Sequence, residues 1–431
     1  MDLLTANDTA GAYPASYYAA TAAPLDEFAP AKGAVPCDVC VVGGGYSGLS
    51  AALHLAQAGY DVVLLDAQRV GFGASGRNGG QVGVGQRLGQ DDLEEIVDLP
   101  TARALWDLSL ESVDLVKSLI ADNDIDCGWS DGIIEADHRA KFVPHSHAYA
   151  EKLNTEYGYD KIKAIGKDEM RSLVGSRTYY GGTLDMGSGH LHPLRYALGL
   201  ARAARDAGVR ICERSTVTAV TEGGLVTTKD AEVSAKFVVL GCNGYLGALN
   251  MDVAQRVMPI NNFIAATQPL SDTQARALIR DNHAVADSKF VINYFRLSED
   301  NRMLFGGGES YGYAFPKDIA ATVRKPMLQI FPQLKDARID YAWGGTLGIT
   351  MNRMPHFARI SDQVLSVSGY SGHGVAMATL GGKLAARAIM GQAEKFDIFA
   401  KVPSPRFPGG RRLRTPLLAL AMIWYSLRDR L

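Results

Sequence analysis

The hydrophobic positions near the start of the chain predict a strand, a helix and a second strand in close succession. The valine-rich run "CDVCVV", Cys37 to Val42, is typical of a strand buried on both faces of a parallel sheet. Apolar residues recur at helical spacing from Ser47 to Ala58, and Gly59 stands where helices commonly end. The next apolar run, "DVVLLD" from Asp61 to Asp66, predicts the second strand. A helix of this length between two strands favours parallel pairing.

Later segments follow two different patterns. Residues Pro193 to Ile211 predict another helix and strand, and Phe237 to Leu246 predicts a return to the first sheet. Four other segments alternate in polarity or are rich in aromatic residues, which favours antiparallel strands of a second domain. These segments are "GWSDGIIEAD", "YYGGTLDMG", "MPINNFIAATQPL" and "FVINYFRLSEDNRMLFGGG". We therefore predict an α/β fold with a Rossmann-like domain and a second, largely antiparallel-sheet domain.

The 431 residues are enough for two domains that share an interface. We predict an N-terminal arm at 1–35, a discontinuous nucleotide-binding domain at 36–100, 190–252 and 343–400, a substrate domain at 101–189 and 253–342, and a C-terminal tail helix at 401–431. The tail helix has an apolar stripe, Leu417, Leu420, Ala421, Trp424 and Leu431. Such a stripe favours packing on the chain's own body or on a sister subunit, with a membrane-surface helix as the alternative.

Charge and apolar run length exclude several classes of partner. The 44 basic and 46 acidic residues leave a net charge of -2, so neither nucleic acid nor an anionic membrane is attracted overall. The longest apolar stretch, Leu417 to Tyr425, is too short to span a bilayer. The start of the chain lacks a signal-peptide pattern, and the 5 cysteines are scattered. We expect cytoplasmic residence and no transmembrane segment.

A glycine motif follows the first predicted strand directly. Gly43, Gly45 and Gly48 form G-x-G-x-x-G between this strand and the helix, and the next strand ends at Asp66. Glycines at these positions permit a tight turn and let the backbone and the helix N-terminus approach a pyrophosphate. A carboxylate at the end of the next strand accepts hydrogen bonds from the ribose hydroxyls. The motif predicts a dinucleotide site but does not separate FAD from NAD.

Two further glycine-rich turns distinguish the cofactor. The segment "VGFGASGRNGGQ", Val70 to Gln81, is small and polar, and its backbone amides suit a pyrophosphate. The segment that begins at Gly369 opens a helix whose N-terminus would face the flavin carbonyl that gains negative charge on reduction. His373 lies between two glycines of this turn.

These three segments, together with the arm "SYYAA" and "GHLHPLRYALG", resemble the FAD-dependent D-amino-acid-oxidase superfamily over nearly the whole chain. The resemblance implies an FAD-dependent oxidoreductase that acts on CH-NH or CH-NH2 groups. It also implies FAD held non-covalently, since no cysteine follows Cys242 to form a C-terminal thioether. The implied cofactor-binding residues are Gly43, Gly45, Tyr46, Ser47, Gly48, Asp66, Ala67, Gly73, Ala74, Ser75, Arg77, Asn78, Gly79, Gly80, Gln81, Val217, Gly241, Cys242, Asn243, Gly345, Gly372, His373, Gly374 and Val375.

The implied reaction is hydride transfer from an amine carbon to the flavin, which gives an imine, then an aldehyde and ammonia. Molecular oxygen is the expected electron acceptor and hydrogen peroxide its product. We expect Tyr294, Arg296 and His373 to line the catalytic pocket, without assigning a base. The electron acceptor and a homo-oligomeric state both stay open.

Substrate choice depends on one aligned position. Relatives that oxidise amino acids carry an arginine that clamps the substrate carboxylate, and Leu347 occupies the position we align with it. This favours gamma-glutamylputrescine or a similar capped diamine. The alternatives are a cyclic or N-methylated amino acid such as pipecolate or sarcosine, with Arg353 or Arg296 as the clamp, and a flavin-bearing module for RNA modification or redox sensing.

Two other patterns favour structural roles. Gly308 to Gly312 has the G-x-S-x-G form of a hydrolase elbow, but Pro316 soon afterwards opposes the helix that an elbow opens. His190 and His192 would share a strand face, yet the sequence offers no third ligand, so we predict no metal site.

Overall fold

The computed structural model describes residues 2–310 and 312–408, and the apolar stripe predicted from Leu417 onward lies outside them. The strands in the described ranges are β1 (Gly33–Val42), β2 (Val62–Leu65), β3 (Gln81–Val82), β4 (Ser130–Ala136), β5 (Ile162–Ile165), β6 (Gly182–His190), β7 (Arg210–Cys212), β8 (Val217–Val220), β9 (Leu225–Thr228), β10 (Ala231–Leu240), β11 (Met258–Thr267), β12 (Ala284–Asp287), β13 (Tyr294–Leu297), β14 (Met303–Ser310), β15 (Ile339–Ile349), β16 (His356–Arg359) and β17 (Val364–Ser368).

The helices of the same ranges are α1 (Tyr17–Thr21), α2 (Tyr46–Gln57), α3 (Gln90–Ile96), α4 (Leu99–Asp122), α5 (Val143–Glu156), α6 (Lys167–Leu173), α7 (Pro193–Asp206), α8 (Met251–Arg256), α9 (Asp272–Leu278), α10 (Ile319–Ile330), α11 (Gly374–Ile389) and α12 (Glu394–Lys401). Short 3-10 turns lie at Ala74–Gly76, Ala140–Phe142, Asn243–Tyr245 and Pro332–Leu334. Across the residues that the structure describes, each helix is too short or too polar to cross a membrane.

The first sheet has the strand order β16-β17-β10-β1-β2-β7, with β9 and β8 continuing from β10. Its centre is parallel, because β1 pairs in parallel with both β10 and β2. The inner residues of β1 and β2 are buried, as expected for a parallel strand covered on both faces. The carboxyl ends of these strands meet at one edge, so the glycine turn after β1 lies beside the residues that follow β2 and β10.

Helices α2 and α11 cover this sheet and pack closely against each other. A β-carbon at Gly382 of α11 would overlap with the carbonyl oxygen of Ser47 in α2, so the glycine permits the close approach. Helix α7 begins at Pro193, and the ring nitrogen Nδ1 of His192 caps it by accepting from the Arg195 amide at 3.1 Å. The three helices thereby hold the glycine turn against the sheet.

The second sheet has the order β15-β11-β14-β13-β12-β4-β6-β3, with β5 paired to β6. Its pairs are antiparallel except for β12 with β4, which are parallel. An apolar cluster that includes Phe263, Phe295 and Phe305 packs against one face of this sheet. The predicted fold class, a Rossmann-like α/β domain with a second and largely antiparallel sheet, is confirmed.

The structure differs from the predicted boundaries in two respects. Strand β10 ends at Leu240, earlier than predicted, because Asn243 adopts a φ of 47° and its side chain accepts from the Gly369 amide. Strands β3 and β15 pair within the second sheet, although β3 and residues 343–349 of β15 lie in the ranges 36–100 and 343–400 predicted for the nucleotide domain. Local patterns do not reveal a strand's distant partner, and the division into domains otherwise stays a prediction.

Candidate active site

A cavity of about 1270 Å³ lies between the carboxyl edge of the first sheet and one face of the second. Its walls include residues that follow β1, β2, β10 and β17, and residues of β4, β6, β12 and β13. Pockets for small molecules commonly measure roughly 300 to 1,000 Å³. The cavity therefore has room for a large cofactor and a small substrate together.

The turn after β1 has the shape that a dinucleotide needs. Gly43 adopts a φ of 108°, which glycine tolerates and other residues rarely adopt. Gly45 stands at the N-terminal cap of α2, where a β-carbon would come within 2.8 Å of the Ser75 hydroxyl. A β-carbon at Gly48 would overlap with the carbonyl oxygen of Gly43. Gly48 does not line the cavity, so its role is close packing of α2 on the turn.

Asp66 directly follows β2 and points its carboxylate at the same turn. The amides of Gly44 and Gln68 donate to it at 2.6 and 2.7 Å. The carboxylate faces the cavity but is surrounded by protein, and this desolvation raises the pKa of Asp66 to about 6. Ribose hydroxyls would supply further donors to this carboxylate, so its position fits the adenosine half of FAD.

The second glycine turn is held together by its own side chains. Asn78 donates to the carbonyls of Ala74 and Ser75 and accepts from the Gly80 amide at 2.7 Å. The hydroxyl of Ser75 accepts from the Tyr46 amide, at the start of α2. Ser75 therefore lies where the helix N-terminus would meet a pyrophosphate, while Asn78 supports the turn from behind.

Arg77 lies in this turn but is committed to protein partners. Its Nε donates to the carbonyl of Phe72 at 2.7 Å, and its Nη1 donates to the carbonyl of Gly344 and the carboxylate of Asp8. The side chain is 1 % exposed. These contacts give Nε and Nη1 structural roles, whereas the buried Nη2 has no hydrogen-bond partner among the described residues, and the pyrophosphate contact stays a prediction.

The third turn places His373 at the N-terminal cap of α11, beside the cavity. Its Nε2 lies 3.0 Å from the carbonyl oxygen of Gly83, so Nε2 carries the hydrogen and donates it. Burial lowers the pKa of His373 to about 4. The imidazole is therefore neutral at pH 7, and it joins the third turn to the end of β3.

Tyr294 of β13 reaches the cavity between two glycines. Its ring lies against Gly79 and Gly306, where added β-carbons would meet ring atoms. Its hydroxyl donates to Oδ1 of Asn262 at 2.5 Å. The ring is thus fixed beside the second glycine turn, as predicted for a residue that lines the pocket.

Arg296 does not fulfil the predicted pocket role. It is buried, and it donates to the carbonyls of Gly79, Leu191 and Leu297 at 2.8, 2.9 and 3.1 Å. It is not among the residues that line the cavity. Because its guanidinium is occupied by main-chain oxygens, Arg296 supports the second glycine turn and is not placed to clamp a substrate.

Most of the other predicted cofactor residues line the cavity, whereas Gly48 and Gly80 lie behind it. A β-carbon at Gly80 would overlap with the carbonyl oxygen of Leu191, which explains the glycine there. The lining residues that the sequence predicted are Gly43, Gly45, Tyr46, Ser47, Asp66, Ala67, Gly73, Ala74, Ser75, Arg77, Asn78, Gly79, Gln81, Val217, Gly241, Cys242, Asn243, Gly345, Gly372, His373, Gly374 and Val375.

The second sheet also provides an acidic wall that was not predicted from the sequence, which we define as Glu135, Asp137, Asp185 and Asp287. All four line the cavity. Asp185 accepts from Tyr159, Ser188 and the Gly187 amide, and Asp287 accepts from Asn293. Alternation in "GIIEAD" predicts that Glu135 of β4 and Asp137, which directly follows β4, point to the same side, and this signal could have revealed them.

Two members of the wall are less fully paired. Glu135 is accessible from the cavity but surrounded by protein, and this desolvation raises its pKa, against the opposing effect of Arg87. Asp137 is 3 % exposed, and its Oδ2 atom has no hydrogen-bond partner among the described residues. Burial likewise raises the pKa of Asp137. The wall therefore offers acceptors for a cationic or donor-rich ligand.

The position aligned with the carboxylate-clamping arginine is apolar. Leu347 of β15 lines the cavity and packs with Met258, Ile260 and Ile349. Arg353 also lines the cavity, with its guanidinium 5.9 Å from the centre of the Phe290 ring. Of the two arginines predicted as alternative clamps for a substrate carboxylate, Arg353 lines the cavity and Arg296 does not.

His190, the last residue of β6, and His192, two residues later, both have structural partners. His190 Nε2 bonds the carbonyl of Asn282 at 2.7 Å, and His192 Nε2 bonds the hydroxyl of Thr21 at 3.0 Å. Burial lowers the pKa of each to about 3. Both rings are neutral at pH 7, and His192 connects the N-terminal arm to α7.

Residues 38–388 match the family described as DAO, FAD dependent oxidoreductase. The chain is 42% identical over 420 residues to gamma-glutamylputrescine oxidoreductase of Escherichia coli, covering 96% of this chain and 98% of that protein. It is 39% identical to the probable oxidoreductase OrdL of Rhizobium meliloti, over 96% and 97% of the two chains. The crystal structure of glycine oxidase from Geobacillus kaustophilus superposes with a TM-score of 0.73 at 20% identity, covering 87% of this chain and 100% of that one.

Proposed function

Since the chain belongs to the DAO family of FAD-dependent oxidoreductases and uses FAD, we propose that it oxidises a primary amine whose other charged groups lie far from the reacting carbon. Gamma-glutamylputrescine, the substrate in the name of a 42% identical relative, has this form, as do similar capped diamines. The overall reaction consumes the amine, oxygen and water, and it releases an aldehyde, ammonia and hydrogen peroxide.

The acidic wall is the observation that carries this proposal. Glu135, Asp137, Asp185 and Asp287 face the cavity that also holds the dinucleotide turn. An ammonium group is attracted to carboxylates in an enclosed site, because screening by water is weak there. A substrate that brings a carboxylate to the same wall would be repelled. The wall therefore favours amines over simple amino acids.

Leu347 also favours an amine over an amino acid as substrate, because its side chain offers no partner for a carboxylate. A substrate carboxylate beside the reacting carbon needs a cationic partner, and burying it without one costs several kcal/mol. Leu347 supplies only an apolar surface. A bare aminoalkyl chain meets no such cost, and its methylene groups gain from contact with apolar side chains.

Several of the described residues have roles around the reacting centre. The bound flavin supplies the two-electron oxidation of the carbon-nitrogen bond. Arg296 and Asn78 hold the second glycine turn, Tyr294 closes one side of the pocket, and neutral His373 fixes the start of α11. The helix start places a partial positive charge toward the cavity. The protein thus orients substrate and cofactor, and it supplies an electrostatic field.

Oxidation of a cyclic or N-methylated amino acid is the second candidate, and the position of Arg353 favours it. Its guanidinium lines the cavity near the Phe290 ring. A fork of this kind can hold a carboxylate bidentately. Under this candidate, Arg353→Met would weaken amino-acid oxidation strongly, whereas oxidation of a capped diamine would change little.

Anaerobic mixing with a panel of substrates tests the choice. We expect gamma-glutamylputrescine to bleach the flavin with at least tenfold higher efficiency than pipecolate, sarcosine or D-alanine, a gap of about 1.4 kcal/mol or more. Glu135→Gln should raise the KM for the diamine, and Glu232→Gln, which changes an exposed carboxylate of β10, should leave it unaltered. Faster bleaching by pipecolate would refute the proposal. Peroxide release in air tests oxygen as the acceptor.

A further inference from the structure

The N-terminal segment 2–13 covers part of the cofactor cavity. Asp2, Leu3 and Leu4 line the cavity beside residues of the dinucleotide turn. Gln68, which follows Asp66 closely, donates from Nε2 to the carbonyl of Leu4 at 2.7 Å and accepts from the Gly11 amide through Oε1. The segment is therefore bonded to the chain that leaves β2, on the adenosine side of the site.

A buried ion pair joins the same segment to the second glycine turn. Nη1 of Arg77 donates to both carboxylate oxygens of Asp8 at 3.0 Å. The side chains of Arg77 and Asp8 are only 1 % and 8 % exposed. Ion pairs this well enclosed are screened little by salt or water. Asp8 is the carboxylate that balances the buried Arg77 cation.

Arg77 contacts three parts of the molecule. The guanidinium stacks 4.3 Å from the centre of the Phe72 ring and bonds the carbonyls of Phe72 and Gly344. Phe72 lies in the second glycine turn, and Gly344 lies in β15 of the second sheet. A shift of Asp8 therefore disturbs the turn, the arm and the neighbouring strand together.

Further contacts anchor both ends of the segment. Asn7 donates to the carbonyl of Tyr313 and accepts from the Phe315 amide, each at 2.7 Å. The hydroxyl of Tyr13 donates to the carbonyl of Val70 at 2.7 Å. These bonds link the segment to main-chain groups of the second glycine turn and of the chain between β14 and α10.

We propose that segment 2–13 forms an outer wall of the FAD site and that Asp8 is a positioning residue that slows FAD release by holding Arg77. Removing the Asp8 charge leaves a buried cation without a counter-ion, which favours detachment of the segment. The turn at 73–79 then loses its brace, and the cavity opens on the adenosine side. This inference concerns cofactor retention and does not depend on the identity of the amine.

The first test compares matched variants. Asp8→Asn should raise the FAD dissociation constant and the FAD release rate at least tenfold, measured by flavin fluorescence. Asp26→Asn, the same chemical change at an exposed arm residue, should stay within twofold of wild type. Asp8→Asn combined with Arg77→Met should recover part of the affinity, because no unpaired cation remains. Unchanged FAD release in Asp8→Asn would overturn the proposal.

A second test needs no variant and stands even if Asp8→Asn fails to fold. Chymotrypsin cleaves after aromatic residues and leucine unless proline follows, so Leu3 and Leu4 of the segment and Tyr17 and Tyr18 of the arm are sites, whereas Tyr13 precedes Pro14 and is not. We expect FAD to slow cleavage in the arm at least tenfold in wild-type protein, measured by mass spectrometry of the released fragments. Equal cleavage with and without FAD would show that the segment is not part of the cofactor site, whatever substrate the enzyme takes.

Discussion

The aromatic ring of Tyr294 lies directly against Gly79, so closely that a β-carbon at position 79 would come within 2.7 Å of two ring carbons. The absence of a side chain in the second glycine turn thus determines where a pocket-lining residue of the second sheet can lie. The main-chain carbonyl of Gly79 is held in turn by Arg296.

We expect Gly79→Ala to push the Tyr294 ring out of position and to lower kcat/KM for the amine at least tenfold. Gly79 also lines the cofactor cavity, so FAD content is measured as well, and the loss of kcat/KM should persist when it is expressed per bound FAD. Steady-state kinetics and the flavin absorbance of purified protein measure both quantities. Gly166→Ala is the control, because a β-carbon there meets open space. Unaltered kinetics in Gly79→Ala would contradict a role for Tyr294 as a residue that lines the substrate pocket.

Substitution at Gly48 should act on FAD binding through helix packing. A β-carbon at this position overlaps with the Gly43 carbonyl, so α2 must move away from the turn. Gly48→Ala should therefore lower bound FAD per chain at least tenfold and lower the thermal midpoint of the protein. Full flavin content in this variant would contradict a role for the close packing of Gly48 on the Gly43 carbonyl. The loss would thus come from helix packing, whereas the sequence predicted that the glycine lets the backbone approach the pyrophosphate.

Purified protein should be yellow and should release intact FAD when it is denatured. The cysteines in the sequence are Cys37, Cys40, Cys127, Cys212 and Cys242, and none follows residue 242 to form a C-terminal thioether. The supernatant after acid precipitation, analysed by chromatography, should contain the flavin. Flavin that stays with the precipitated chain would show a covalent bond.

FAD affinity should fall as the pH falls through about 6. The ionised Asp66 carboxylate is the better acceptor for ribose hydroxyls, and without FAD its pKa is raised to about 6 by desolvation. FAD binding then favours ionisation, so affinity is fully present above pH 6 and is lost on protonation below it. Between pH 7 and 5 we expect about a tenfold rise in the dissociation constant from this group.

The Asp66→Asn variant provides the control for this pH effect. It cannot titrate at position 66, so its weaker FAD binding should vary less than twofold over the same range. A raised folded-state pKa also means that, without FAD, protonation of Asp66 stabilises the fold as the pH falls from 6 toward 4. As the pH falls, we therefore expect FAD affinity to fall and this contribution to the stability of the apo-protein to rise.

Flavin reduction at subsaturating amine should rise with pH between about 7 and 10. Hydride loss next to nitrogen requires the neutral amine, and neutralising an amine of pKa about 10.4 at pH 7 costs about 4.6 kcal/mol. His373 does not titrate in this range, because its pKa is lowered to about 4. Stopped-flow reduction across the range measures the effect. A flat profile would mean that substrate protonation does not limit the rate.

The sequence by itself determined the elements that depend on neighbouring residues. The valine run of β1, the glycines of the dinucleotide turn, the periodicity of α2 and the placement of Asp66 are all encoded within a short stretch of chain. Each follows from local backbone freedom and from burial of one helix face or both strand faces. These features were sufficient to predict the Rossmann-like domain and a dinucleotide site, and the two further glycine-rich turns favoured FAD.

Only the tertiary structure decided what the polar side chains do. Arg296 bonds a carbonyl 217 residues away, and Arg77 is paired with Asp8 across 69 residues. An arginine beside a predicted pocket is equally compatible with a ligand and with a main-chain partner until its surroundings are known. The acidic wall likewise arises because strand pairing brings Glu135 and Asp185 to one face of the second sheet and places Asp287 beside Ala136 at the end of β4. Hydrogen bonds require a geometry that separated stretches of sequence acquire only when the chain folds.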